Sequence, residues 1–234
     1  MADFSISVQE LYDASAHFGH KTQKWNPRVR PYLFGERGGI HLFDLQKTAK
    51  LLEKALDFSK KMAMEGKNFL FVGTKPQALQ LISSHAKRAG VSYVTGKWIP
   101  GLLTNFSTLS KRIAYLRDLK SQEESGELLK YTKKEISQLK KVIGKLEAAL
   151  GGVSEMRRLP DVVFVSDVLR DRLTVLEAKK MKIPVIGLVD SNADPVGVTH
   201  VIPGNDDAVK SLEYFTGKIA DSIIAGKKGL KDLA

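Results

Sequence analysis

The sequence predicts a doubly wound α/β domain, built on a parallel sheet of about five strands and interrupted by an antiparallel coiled-coil helical hairpin. Three observations lead there. Short apolar runs that end in polar or turn residues alternate with helical stretches, the pattern of parallel strands buried on both faces. Candidate caps and C-terminal glycines punctuate the helical stretches. About 65 residues separate the second strand from the third, well beyond an ordinary crossover, and they carry heptad spacing.

Taken in order, residues 31–34 and 40–43 read as a hairpin returning through Gly35–Gly39. The strands of the sheet are Phe69–Gly73, Ser92–Thr95, Val162–Ser166, Val185–Val189 and His200–Ile202. Between them lie helices Leu45–Met64 behind the N-cap Asp44, Pro76–Ala89 behind Thr74 or Lys75, Arg172–Met181, and Asp206–Ile224 behind Asn205. Gly66, Gly90 and Gly226 stand where C-cap glycines belong. Right-handed crossovers between such units give a doubly wound sheet, with flavodoxin-like strand order by analogy. In the long interval, Leu109, Ile113 and Leu116 recur at four and three residues, and Ile136, Leu139, Ile143, Leu146 and Leu150 at three, four, three and four. Ser121–Gly126 turns the chain between them and Gly151–Gly152 marks the return. Residues 1–105 and 159–234 thus form the α/β domain and residues 106–158 the hairpin, with the outward Lys and Arg of the hairpin available to a partner.

The 234 residues contain 37 Lys+Arg against 26 Asp+Glu, a formal charge of +11, and no Cys. Disulfides, thiolate zinc sites and cysteine nucleophiles are therefore excluded. No run reaches the ~18 apolar residues of a membrane span, and Asp3, Glu10 and Asp13 are unlike a signal sequence, so a cytoplasmic protein is expected. The charge is concentrated. From His17 to Lys50 seven cations (Lys21, Lys24, Arg28, Arg30, Arg37, Lys47, Lys50) face Glu36 and Asp44, and from Lys111 to Arg158 twelve face seven acids. In the first segment, residues 17–50, the cations are interleaved with Phe18, Trp25, Tyr32, Phe34 and glycines. Stacking planes, approachable backbone and positive charge together suit irregular or single-stranded RNA.

Catalytic signatures are missing where a doubly wound enzyme would show them. Residues 73–77 (GTKPQ) lack the second glycine and the Lys-Ser/Thr of a P-loop, no GxGxxG follows a strand, and no GxSxG elbow exists. Asp167, Asp190, Asp194, Asp206 and Asp207 fall at strand ends, where carboxylates can gather Mg²⁺, but turn and helix-cap roles account for them better. His17, His20 and His41 are read as RNA contact or loop packing in preference to zinc ligands.

Residues 16–22 (AHFGHKT), Trp25-Asn-Pro and residues 31–48 (PYLFGERGGIHLFDLQKT) closely resemble the amino-terminal region of the bacterial small-subunit ribosomal protein two family. Residues 71–75, 103–106, 159–161, 177–178, 183–185, 189–195 and 201–208 are similar to that family's later motifs, in the same order, so the resemblance runs from about residue 8 to 224. It implies a structural component of the small ribosomal subunit with no enzymatic task, no cofactor and no metal, bound to small-subunit rRNA and neighbouring small-subunit proteins. Among those it implies the mRNA-binding ribosomal protein one, met at the hairpin and its base. Two departures stand out. The family usually has Arg-Trp-Leu/Ile-Gly-Gly where this chain has Lys97-Trp-Ile-Pro-Gly, and a basic residue where it has Pro76. Pro100 removes a backbone donor, and Lys97 keeps the charge without the guanidinium fork, which suits phosphate contact.

The expected RNA contacts are Lys21, Lys24, Arg28, Arg30 and Arg37 on phosphates and Trp25 stacking, with His17, His20, Lys75, Lys97 and Asn105 in second rank. Two rivals make different predictions. A nucleotide-binding module using the Asp cluster predicts saturable binding of a small phosphorylated ligand or Mg²⁺, and a pure protein scaffold predicts no preference for structured rRNA over a generic polyanion.

Overall fold

The computed structural model describes residues 4–232, so Asp3 of the acidic amino-terminal stretch lies outside them. Five parallel strands, β4 (Phe69–Val72), β5 (Ser92–Val94), β6 (Val162–Val165), β7 (Val185–Val189) and β8 (His200–Pro203), pair in the order β5-β4-β6-β7-β8. Numbered by appearance within this sheet the order is 2-1-3-4-5, the flavodoxin-like arrangement. The strands are apolar on both sides because both faces are covered. Phe69, Phe71, Phe164 and Ile186 point into one core, and Leu70, Val72, Val163 and Val165 into the other.

The first core is closed by α2 (Leu45–Met64), α3 (Leu79–Ala89) and α7 (Val209–Asp232). Asp44 caps α2, accepting from the N–H groups of Gln46 and Lys47 at 3.1 and 3.3 Å. Gly66 and Gly90 follow α2 and α3 in the left-handed region (φ 68° and 61°), as expected of glycines ending helices. Three helix boundaries differ from the sequence reading by more than one residue. Helix α3 starts at Leu79, not Pro76, because Thr74 spends its hydroxyl on Asp171 and residues 75–78 form a turn closed by Ala78 N–H to Lys75 C=O. Helix α7 begins at Val209, with Asn205 Oδ1 accepting from Asp207 and Ala208, and runs on past Ile224. Gly226 therefore lies inside α7 and is no cap. A Cβ there would sit on the Lys60 carbonyl oxygen and 2.7 Å from Ala63 Cβ, so it lets α7 lie against α2.

The second core lies under α6 (Arg172–Lys180) and under two helices between β5 and β6, α4 (Phe106–Glu124) and α5 (Lys133–Leu150). Leu109, Ile113, Leu116, Ile143 and Leu150 are buried, and Leu139 and Leu146 partly so. Ion pairs join Lys120 to Glu147 and Glu123 to Lys140. Moving forward along α4 moves backward along α5, so the helices run antiparallel. Thr132 and Glu135 form a reciprocal capping box at the start of α5.

A second sheet precedes the first, ordered β1-β3-β2: β1 (Phe18–Lys21), β2 (Leu33–Arg37) and β3 (Ile40–Phe43). The hairpin turn is tighter than the sequence suggested, because Gly38 and Gly39 (φ 61° and 74°) alone make it and β2 continues through Arg37. Pro31 belongs to the 3-10 turn Pro27–Tyr32. Strand β1 and a short helix α1 (Val8–Asp13), capped by Ser7, had no clear sequence signal.

Candidate nucleic-acid interface

Strand β1 is held against the carboxyl ends of β7 and β8 by the turn that follows β7. Ser191 Oγ accepts from His20 N–H at 2.7 Å and Ser191 C=O accepts from Asn26 N–H at 2.7 Å. The approach requires glycine at 19, where a Cβ would lie 2.8 Å from Ser191 Oγ. Asn205 reinforces the seam, its backbone N–H and Nδ2 donating to Ala16 and Ser15 carbonyls, both at 3.2 Å.

Ligands of doubly wound folds bind where the strand order reverses, beyond the carboxyl ends of what are here β4 and β6. That crevice is closed by the chain's own side chains. Thr74 donates its N–H and hydroxyl to Asp171 at 3.1 and 2.7 Å. Lys75 Nζ meets Asp206 and Asp207 at 2.6 Å and Asp167 at 3.3 Å, with its side chain only 12% exposed. His20 bridges Asp190 (3.1 Å) and Asp207 (3.2 Å) from the other side.

Asp167, Asp190 and Asp194 perform the turn roles the sequence assigned them, whereas α7 starts only at Val209, so Asp206 and Asp207 are not residues of its first turn. Asp167 accepts from Arg170 N–H, Asp190 from Ser191 and Asp206 N–H groups, and Asp194 from Val196 N–H. Four of them also converge on Lys75 and His20, which spacing could not reveal. Burial, then the neighbouring Asp190 and Asp167, push the Asp206 carboxyl up to about 7 despite Lys75. The hydrogen bond that His20 donates to Asp190 raises its pKa above the ordinary value against the pull of burial. Ligand atoms of His20, Asp190 and Asp206 lie within 4.8 Å of one another, the one grouping among the described residues with spacing suited to a divalent cation.

The first-rank cations all face outward. Lys21, Lys24, Arg28, Arg30 and Arg37 are exposed on the small sheet and its 3-10 turns, and Arg28 alone has an ion-pair partner among the described residues, the partly exposed Asp194 at 2.6 Å. Trp25 is half-buried, its ring 5.0 Å from that of His41. Phe34 is 79% exposed among these cations. Phe34, one of the aromatics interleaved with the cations, is no predicted contact, yet it is the most exposed ring of the segment. His17 stacks on Tyr12 at 4.6 Å, and burial lowers its pKa. Of the second-rank residues, His20 and Lys75 are thus held by the acidic cluster, and His17 packs on the exposed Tyr12 ring.

Lys97 and Asn105 are exposed in the loop after β5, toward the other edge of the same sheet end. Their loop is organised by a residue the site reading missed. Glu177, on α6, accepts from Trp98 Nε1 (3.0 Å), the N–H groups of Gly101 (2.8 Å), Leu103 (3.0 Å) and Thr104 (3.2 Å), and the Thr104 hydroxyl (3.2 Å). Burial pushes this carboxyl up, and the hydrogen bonds together outweigh it, leaving the pKa below the ordinary value. The missing N–H of Pro100 falls between donors and leaves the arrangement complete.

The fold is thus an α/β core whose ligand crevice is occupied by its own ion pairs and whose accessory sheet displays exposed cations. The chain belongs to the ribosomal protein S2 family: the family model described as Ribosomal protein S2 matches residues 11–226. Membership makes it a structural protein of the small ribosomal subunit, associated with the ribosome, in a family that binds rRNA and other ribosomal proteins. No helix among the described residues is long and apolar enough to cross a membrane.

Proposed function

We propose that the chain is a bacterial-type, cytoplasmic component of the small subunit that binds small-subunit rRNA through the basic sheet and performs no catalysis. The observation that carries this reading is the set of five exposed cations, Lys21, Lys24, Arg28, Arg30 and Arg37, displayed around Trp25 and Phe34 on a sheet anchored by Ser191. Cations neutralise phosphates, and exposed rings offer faces for unpaired bases. Lys97 and Asn105, in the loop braced by Glu177, add a phosphate contact toward the other sheet edge.

The segment 106–158 is the inserted unit of this reading, a coiled-coil hairpin on the α/β body formed by 1–105 and 159–234, and its base recruits ribosomal protein one. Support for a protein partner comes from beside that base. Leu169, Leu173 and Leu176, spaced four and three residues apart, are each about half exposed along α6 and the turn before it, and α6 also carries Glu177.

Sedimentation of a tagged copy through a gradient that separates ribosomal subunits, at low and moderately high salt, tests the reading. Stoichiometric migration with the small subunit at both salts is expected. Migration as a free 25.9 kDa protein at both would overturn it.

A further inference from the structure

At the pole of the sheet opposite the basic segment, a cleft of about 900 Å³ opens where β4 and β5 begin. Its walls are the ends of α2 and α3, the last turns of α7, and the chain returning from α5. Five cations line it, Lys67, Lys87, Arg157, Arg158 and Lys227, against the single carboxylate of Glu155. Two of the five are committed. Lys227 Nζ donates to the carbonyls of Ala89 and Gly90, both at 2.8 Å, and Arg158 faces Asp161 at 3.6 Å. Lys67, Lys87 and Arg157 have no ion-pair partner among the described residues, and Lys87 and Arg157 are exposed. Cations near helix C-termini offset the macrodipole there, which accounts for Lys227 and in part for Lys87. Arg157 is on no helix, so that effect leaves it unexplained.

The chemistry selects an extended polyanion over a single phosphate group. Helix C-termini, not N-termini, reach the cleft, so no array of free N–H groups cradles a terminal phosphate. The cations come from separate segments and are spread along the walls, as suits a backbone carrying one charge per nucleotide. Backbone is approachable at Gly66 and Gly90, and the Tyr93 ring lies beneath Lys87 Nζ at 5.9 Å. We infer that this cleft binds a second, single-stranded or irregular segment of RNA, with Lys67, Lys87 and Arg157 on its phosphates. The protein then ties together two RNA segments at opposite ends of its sheet. This deepens, and rests on, the rRNA-binding reading above.

The test uses the full chain, fluorescently labelled, rebinding to small subunits washed free of it over a range of salt concentrations. Lys87→Ala with Arg157→Ala should weaken rebinding about ten-fold and reduce the log–log salt slope by roughly 1.4 to 1.8, two lost phosphate contacts. The triple variant Lys24→Ala, Arg28→Ala, Arg30→Ala is run in parallel. If the triple variant loses slope and the cleft variant matches wild type in slope and affinity, the cleft inference is overturned while the basic sheet stands. If the cleft variant alone loses slope, the cleft is the RNA site and the basic sheet is not. If neither changes, both readings fail. Calorimetry with adenosine monophosphate supplies a separate arm: saturable binding abolished by the cleft variant, with an unchanged RNA slope, would reassign the cleft to a small ligand. Thermal melts matching wild type confirm that both variants are folded.

Discussion

The Glu177 carboxylate receives the Trp98 indole N–H at 3.0 Å, tying α6 to the loop that leads from β5 into α4. Three backbone N–H groups and a hydroxyl share the same two oxygens. Glu177→Ala strands these donors in a partly buried site and should cost about 2–4 kcal/mol in chemical denaturation. Glu177→Gln presents an NH₂ where only acceptors fit, so it should rescue less than half of the loss. Because the folded-state pKa is lowered, the stability Glu177 contributes is present above its ordinary value and falls as pH drops through the folded value. Alanine stability equal to wild type would show that the loop is held by its packing alone.

Lys75 is the fixed cation of a buried acidic cluster, and three carboxylates lie within 3.3 Å of it. Replacing it with Met keeps the stem and removes the charge. Uncompensated buried carboxylates should cost about 3–5 kcal/mol, read as a fall in denaturation midpoint. A Lys75→Met protein as stable as wild type at neutral pH would mean that the carboxylates are held without the ammonium.

The same cluster sets a pH dependence. Asp206 titrates from an ordinary 3.8 to about 7 in the fold, so in that window the native state holds the extra proton and stability declines as pH rises. His20, also raised, contributes stability that is complete below 6.5 and is lost as pH rises through its folded value. Thermal midpoints should therefore decline from mildly acid to mildly alkaline pH. Asp206→Asn should flatten the lower part of that decline and His20→Gln the upper part. Midpoints that rise through this range would contradict both assignments.

On the basic sheet, Lys24→Ala, Arg28→Ala and Arg30→Ala together should lower the log–log salt slope of rRNA binding by roughly 2 to 3, since each phosphate contact contributes about 0.7 to 0.9. Arg28 must leave Asp194 to reach a phosphate, so Asp194→Ala should by itself strengthen binding slightly at low salt. An unchanged slope in the triple variant would remove these side chains from the interface.

Gly226→Ala sets two effects against each other. Helix propensity favours Ala by about 1 kcal/mol. The added methyl falls on the Lys60 carbonyl, a backbone atom that can yield only if α2 and α7 part. Overpacking of this kind costs typically 1–3 kcal/mol, so a net loss is expected in thermal unfolding. A gain would show that the helices can separate freely.

The main sheet was legible because each strand is a short apolar run and each crossover a helix of ordinary length. Asp44 and Gly66 could be read as caps because their roles depend on neighbours within a few residues. Pro76 and Gly226 misled for the same reason: a first-turn proline and a late glycine have local meanings that Asp171, 97 residues from Thr74, and Lys60 override. Strand β1 was invisible because its partners are Ser191 and β3, not a hairpin neighbour.

By itself the sequence determined the βα alternation, the long interval between the second and third strands of the main sheet and the clustering of positive charge, all properties of composition and short-range periodicity, and its motifs carried the family resemblance. Tertiary structure alone decided which charged residues face out. Lys24 and Lys75 are the same residue type, yet one ends on an exposed 3-10 turn and the other inside a ring of carboxylates. The difference lies in Asp167, Asp206 and Asp207, brought to Lys75 by strand ends adjacent only in the folded sheet, where burial makes an unpaired charge too costly to leave free.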